Sequence, residues 1–195
     1  MNREQYLIKA TQRLAKSIFA PAGIEVPSDV KVTCGFPVSG GAGSRKRTIG
    51  QCFNRASSKA KVNEIFISPT IANTYEVLGT LIHELVHAVD DCENGHRGAF
   101  VRMADAVGLT GKPTECGAEQ GTELYSKLHD YIAKYGEYPH EELMVKGKTQ
   151  TTRMIKIECP CCGFKVRASR KVIEEIDPEH LQCWSCGETS LQIGG

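Results

Sequence analysis

Residues 74–91 constrain this chain more than any other stretch. Placed at about 100° per residue, Val77, Leu78, Leu81, Ile82, Leu85, Val86 and Val89 cover more than half of a helical circumference. A helix here must be packed on most sides, and its polar stripe (Glu76, Thr80, His83, Glu84, His87, Asp90, Asp91) is narrow enough to face a cleft rather than open water. Asn73 stands at the N-cap position with Glu76 three residues later, close to a capping box. His83 and His87 are four apart, one turn above the other on the same face, where two imidazoles can share a metal ion. Glu84 is rotated about 100° from His83, beside such an ion rather than behind it. His96 follows nine residues after His87, and a zinc ion that does chemistry takes three protein ligands and leaves a fourth position for water. The His-Glu-x-x-His spacing is that of metalloproteases in which the glutamate is the general base.

Residues 2–20 carry Leu7, Ala10, Leu14 and Ile18 at helical spacing and predict a helix ending before Pro21. Val30, Val32 and Cys34 alternate as a short strand, and Ser39–Ser44 is glycine-rich without the Gly-Lys-Ser/Thr ending of a phosphate-binding loop. It reads as a mobile hairpin loop. Thr48–Phe53 and Glu64–Ser68 predict two further strands, the second stopped by Pro69. Gly98–Val107 predicts a helix closed by Gly108, with His96 at its entrance; residues 111–121 form a loop, and Leu124, Leu128, Tyr131, Ile132 and Tyr135 mark a last long helix. His129 and His140 have no ligand partner at a recognisable spacing and read as structural. The expected class is α+β: a helix-borne histidine pair with a small three-stranded sheet.

Nine cysteines are an odd number, and five of them crowd into the last 37 residues, which favours metal over disulfides. Cys159-x-x-Cys162-Gly163 and Cys183-x-x-Cys186-Gly187 form a four-cysteine zinc signature, each pair closed by a glycine able to take positive φ. Four thiolates saturate a tetrahedral ion, so this second zinc is expected to hold the fold and do no chemistry. Two zinc ions per chain are therefore expected. Cys161 is a surplus thiol that could compete with Cys162. Cys34, Cys52, Cys92 and Cys116 read as packed or surface thiols. Residues 141–152 are polar and short of core residues, which divides the chain into 1–140, a linker at 141–152, and a ribbon at 153–195.

Net charge is +1, so any nucleic-acid contact must come from local clustering. From Lys31 to Lys61 there is no Asp or Glu, while Arg45, Lys46, Arg47, Arg55, Lys59 and Lys61 supply positive charge. These residues are the expected nucleic-acid contacts, against the alternative of a merely solvated loop face. In the ribbon, Lys165, Arg167, Arg170 and Lys171 add a narrower basic surface, with Trp184 able to stack on a base or to fill the ribbon core. The N-terminus has no apolar signal region and no run approaches membrane-spanning length, so a cytoplasmic, monomeric chain without a membrane partner is expected.

The chain resembles the SprT-like zinc metalloproteases, the group that includes Spartan-type DNA–protein crosslink proteases. The carriers are Ile65-Phe66-Ile67-Ser68-Pro69, then Leu81 to Ala88 with His83, Glu84 and His87, then Gly95-His96 and Phe100, then the terminal ribbon. The family reads Gly-His-Gly where this chain has Gly95-His96-Arg97, and the chain looks most similar to compact bacterial or phage-type members. The resemblance implies a zincin-like core in residues 1–140 and a zinc endopeptidase acting on proteins associated with, or crosslinked to, single-stranded or sequence-nonspecific DNA. It implies a nucleoid or, for a phage protein, host cytoplasmic location. In that mechanism Glu84 moves the proton of a water, with Arg97, His129 or Tyr138 as candidates to steady the oxyanion and Asp90, Asp91 or Glu76 to orient the histidines. A second reading is a non-catalytic nucleic-acid-binding zinc protein, for example a transcription-associated one, and a third is a general peptidase without nucleic acid. For the second, an intact general base at Glu84 is superfluous.

Overall fold

A long helix, α2 (Thr74–Val89), is buried along nearly its whole length and forms the spine of a mixed α+β fold. The computed structural model describes residues 1–38, 48–145, 154–175, 182–187 and 192–193. Asn73 caps α2 by accepting the Glu76 N–H at 3.2 Å. That cap is worth about 1 kcal/mol, whereas Leu78, Leu81, Ile82 and Leu85, each fully buried, add about 1.5–3 kcal/mol apiece. Packing therefore holds the helix, and the sequence of its neighbours follows from what must cover it.

The first cover is α1 (Arg3–Leu14), which opens with a reciprocal Asn2–Gln5 capping box and buries Tyr6, Leu7, Ala10 and Leu14. It does not run straight to residue 20 as its periodicity predicts. The chain loosens into a π-helical turn, Ala15–Phe19, and then tightens into a 3₁₀ turn, Ala20–Ala22, that contains Pro21. The second cover is a sheet of β1 (Lys31–Cys34), β2 (Gly50–Phe53) and β3 (Glu64–Ile67) in the order β1-β3-β2. β3 is central because Ile65 and Ile67 are its two fully buried side chains. It pairs parallel with β1 (Val32 opposite Ile65) and antiparallel with β2 (Gly50 opposite Ile67).

This order corrects the hairpin expected between β1 and β2. The two strands are not neighbours, and a parallel β1–β3 pair requires a long crossover, which here runs through β2 and a 3₁₀ turn at Arg55–Ser57. The glycine-rich stretch itself lies outside the described residues.

Helices α3 (Ala99–Ala106) and α4 (Glu123–Tyr135) complete the core through Phe100, Ala104, Leu124 and Leu128. Between them Thr110 and Gly117 bridge, closing the predicted loop on itself. After α4, Leu143 donates its N–H to the Pro69 carbonyl at 2.7 Å and His140 reaches the same oxygen at 2.9 Å, so residues 140–143 are held against the body.

The chain divides into two compact units, Met1–Gly147 and Lys148–Gly195. The second is an antiparallel sheet in the order β5-β4-β6, made of β4 (Met154–Glu158), β5 (Lys165–Ser169) and β6 (Gln192–Ile193), with a short helix α5 (Arg170–Glu175) after β5. Among the described residues no helix is long and apolar enough to cross a membrane.

Candidate metal centres

α2 presents His83, Glu84 and His87, all at least nine-tenths buried, to a cavity of about 600 Å³. His96 joins them from the turn before α3, where Gly95 and Gly98 take positive φ (51° and 52°) and swing the chain back. The Nε2 of His96 lies 3.1 Å from that of His83 and 3.2 Å from that of His87. Three imidazole nitrogens bound at 2.0–2.1 Å around a tetrahedral ion would stand about 3.4 Å apart, so the spacing fits a shared ion. Phe100, fully buried, supports all three rings at once. It stacks on His87 with centroids 4.3 Å apart and touches His83 and His96 at 5.0 Å.

Protonation agrees with this geometry. Burial, followed by the neighbouring imidazoles, pushes His83 down to about 4 and His87 down to about 3; burial also lowers His96. All three are neutral near pH 7 with a lone pair to give. The Nδ1 of His83 faces the Cys116 carbonyl at 3.3 Å and the Cys116 Sγ at 3.2 Å. A carbonyl only accepts, so Nδ1 carries the proton and Nε2 is left free to bind a cation.

For His83 that partner is none of Asp90, Asp91 and Glu76, the carboxylates considered for it from the sequence. The Asp90 carboxylate accepts from Asn94, that of Asp91 accepts from the Arg55 N–H and the Asn63 side chain, and the Glu76 backbone N–H donates to the Asn73 cap. The orienting group is a backbone carbonyl on the 111–121 loop, which reaches α2 because Gly79 offers no side chain there. A Cβ on Gly79 would meet the Ala118 nitrogen at 3.2 Å.

Glu84 lies against the edge strand β2. Its carboxyl is pushed up to about 8 by burial and then by the nearby Cys92 thiol, opposed by a hydrogen bond from the Cys52 backbone N–H. Gly50 makes this position possible, since a Cβ there would stand 2.5 Å from the Glu84 Oε1 and 2.5 Å from the Thr80 methyl. Cys52, Cys92 and Cys116 all line the cavity, so three of the four thiols read as scattered packing sit around the histidines. Sequence carries no spacing signal for them, because they come from β2, the turn after α2 and a loop.

In the second unit Cys159, Cys162, Cys183 and Cys186 bring their sulfurs within 4.8 Å of one another. Cys159 and Cys186 are 3.6 Å apart, and Cys162 and Cys183 are 3.5 Å apart. Sulfurs at about 2.3 Å from a tetrahedral ion would be separated by about 3.75 Å, so this group too fits one metal. The two knuckles repeat one geometry. Gly163 (φ 72°) donates to the Cys159 carbonyl and Gly187 (φ 76°) to that of Cys183, each at 2.9 Å. Cys161 is exposed and lies outside the group.

Protein-family models, curated proteins and solved structures contain no match to this chain.

The residues expected to touch nucleic acid are placed unevenly. Arg45, Lys46 and Arg47 lie outside the described residues, and Lys59 and Lys61 are exposed. Arg55 is engaged in a fork on Asp29 at 2.7 and 2.9 Å and also bonds the Lys61 carbonyl. Trp184 is 95% exposed, which settles against the alternative that it fills the ribbon core. Of the residues considered for an oxyanion, none lines the cavity. Tyr138 is buried against Tyr6, His129 bonds the Tyr75 hydroxyl at 2.9 Å, and Arg97 points to solvent.

Proposed function

We propose that this chain is a zinc-dependent endopeptidase of the SprT-like kind, acting on proteins held on nucleic acid. The observation that carries the reading is the convergence of three neutral imidazoles with one buried carboxyl in a single cavity bordered by an edge strand. His83, His87 and His96 would hold the catalytic ion, and Cys159, Cys162, Cys183 and Cys186 a structural one. When bound, the ion supplies Lewis acidity toward a peptide carbonyl and an acidified water.

The rest is the work of the chain's own groups. Phe100 and the Cys116 carbonyl fix the three rings. With a cation held by the three histidines, Glu84 would be favoured as the carboxylate, and would take a proton from water and deliver it to the leaving amine. The bare backbone of Gly50 leaves that carboxylate room against β2. The nucleic-acid half of the proposal is supported by exposed Lys59 and Lys61 and by the solvent-facing indole of Trp184.

The test is cleavage of a protein crosslinked to single-stranded DNA by the wild-type chain and by Glu84→Gln, with metal content measured in both. The expected result is a loss on the order of 10²-fold or more with unchanged metal. Cleavage by Glu84→Gln at the wild-type rate removes the glutamate from the mechanism, and metal loss in that variant makes it structural.

A further inference from the structure

Apart from the histidine cavity, with which it shares no lining residue, α1 with its π-helical turn and α4 enclose a groove of about 460 Å³. Arg13 and Lys16 stand on one wall, Lys127 and Lys134 on the other. Against these four cations the lining includes one acid, Asp130. A chain whose formal charge is only +1 has thus gathered four cations in one concave place, opposed by Asp130 and by the Glu123 that pairs with Lys127.

Three features make this more than a solvated face. The Arg13 guanidinium lies over the Tyr135 ring, its Cζ 3.6 Å from the centroid, a contact that holds it in place before any ligand arrives. The Tyr131 hydroxyl, on a residue 7% exposed, sits beside Arg13 without a hydrogen bond of full geometry. The wall carrying Lys16 and Ser17 is the π turn Ala15–Phe19, a rare local structure that concentrates at functional sites.

We propose that this groove binds a ligand with two or more phosphates in a row. Lys127 and Lys134 are seven residues apart on α4, about 10.5 Å along its axis, and Arg13 and Lys16 face them. A lone carboxylate or phosphate reaches only part of that row. A nucleic-acid strand, which carries about one phosphate per 3.4 Å of its helix axis, can present several phosphates along that row. The shared chemistry is the phosphate run: a polynucleotide backbone can engage the whole row, and a nucleoside diphosphate a neighbouring pair of its cations. Glu123, which holds Lys127 at 2.7 Å, is exposed and exchangeable for a phosphate, and Asp130 opposes binding and sets its strength. The inference does not depend on the chemistry proposed for the histidine cavity.

The experiment measures fluorescence anisotropy of a labelled nucleoside diphosphate and of a labelled oligothymidylate with the full chain at low salt. The comparison variants are Lys16→Glu/Lys134→Glu, both exposed positions, and Asp130→Asn. The double variant should weaken binding by about tenfold or more and lower the salt slope by about two, while Asp130→Asn should tighten it. Loss of both probes assigns the groove to small phosphoanions and strands alike; loss of the oligonucleotide alone, with no diphosphate binding to the wild type, assigns it to strands. Either result upholds the site. Unchanged binding of both probes in the double variant, with an unchanged circular dichroism spectrum, overturns it, as does failure of the wild type to bind either probe.

Discussion

Replacing Gly50 by alanine tests the proposed chemistry from a residue that performs none of it. The Gly50 backbone is not in the left-handed region, so the only objection to a methyl group is space. That objection is severe. The added carbon would stand 2.5 Å from the Glu84 Oε1, 2.5 Å from the Thr80 methyl and 3.0 Å from the Glu84 Cγ, each well inside ordinary contact. β2 is tied to β3 through the Gly50–Ile67 register, and α2 is packed on its other sides by Leu81, Ile82 and Leu85, so neither backbone has room to retreat. The clash is relieved by turning Glu84 away, on the order of 1 Å. Overpacking of this kind costs about 1–3 kcal/mol, a Tm lower by about 3–10 °C. A carboxylate displaced by 1 Å costs about 10²-fold in turnover. Gly50→Ala should therefore retain its metal, melt several degrees early and lose peptidase activity by about two orders of magnitude. In a Glu84→Gln background the same substitution should cost almost nothing further in rate, since both changes act through one carboxylate. Wild-type turnover in Gly50→Ala would refute the placement of Glu84 against β2 as a requirement of the reaction.

The pH dependence of the metal-free chain offers a second test. Burial raises Glu84 to about 8 from 4.5, so between those values the folded state holds a proton that the unfolded state has released, and stability falls as pH rises. Glu84→Gln removes that slope, and its urea midpoint should match the wild type near pH 5 and exceed it most at pH 8 and above; a constant difference would contradict the buried carboxyl. The lowered His83 and His87 act oppositely, losing stability as pH falls below about 6.5, and they are common to both proteins. Phe100→Ala should cost about 3–5 kcal/mol and also weaken metal binding by the histidines, whereas Phe100→Leu should retain most of the stability but less of the affinity. Equal metal affinity in all three would deny the ring its supporting role. Elemental analysis should find two metal ions per chain, with Cys159→Ser/Cys183→Ser losing one and His83→Ala/His87→Ala the other; a double cysteine variant that still holds two would disprove the four-sulfur site.

What the sequence made legible was local. The apolar girth of α2, its Asn73 cap, the four-residue spacing of His83 and His87, and the paired Cys-x-x-Cys-Gly knuckles are all written within one helix or one turn, and each appears where the pattern places it. What stayed hidden was settled between elements. β1 pairs with β3 rather than with the next strand because Ile65 and Ile67 demand the central place, a competition no single segment records. The partner of His83 is a carbonyl 33 residues away, and a carbonyl has no side-chain signature. Gly50 and Gly79 gave no turn signal because their role is to be absent where another element passes. The π turn after Leu14 preserves helical spacing closely enough that periodicity reads straight through it.

The two metal groups are embedded in very different amounts of protein. The histidines hang from a helix whose neighbours form a continuous apolar core, and that core exists before any ion arrives. In the second unit the buried apolar side chains among the described residues are Ile157 and the two ligands Cys159 and Cys183. With so few buried apolar side chains among the described residues, an ion held by the four sulfurs would supply a large part of that unit's folding free energy. On the proposed four-sulfur site the two halves would run on different clocks, the first maturing at once and the second waiting on metal supply. Under scarcity the population would consist of molecules with a finished body and a protease-sensitive tail, and the abundance of the intact form would report the cell's metal status.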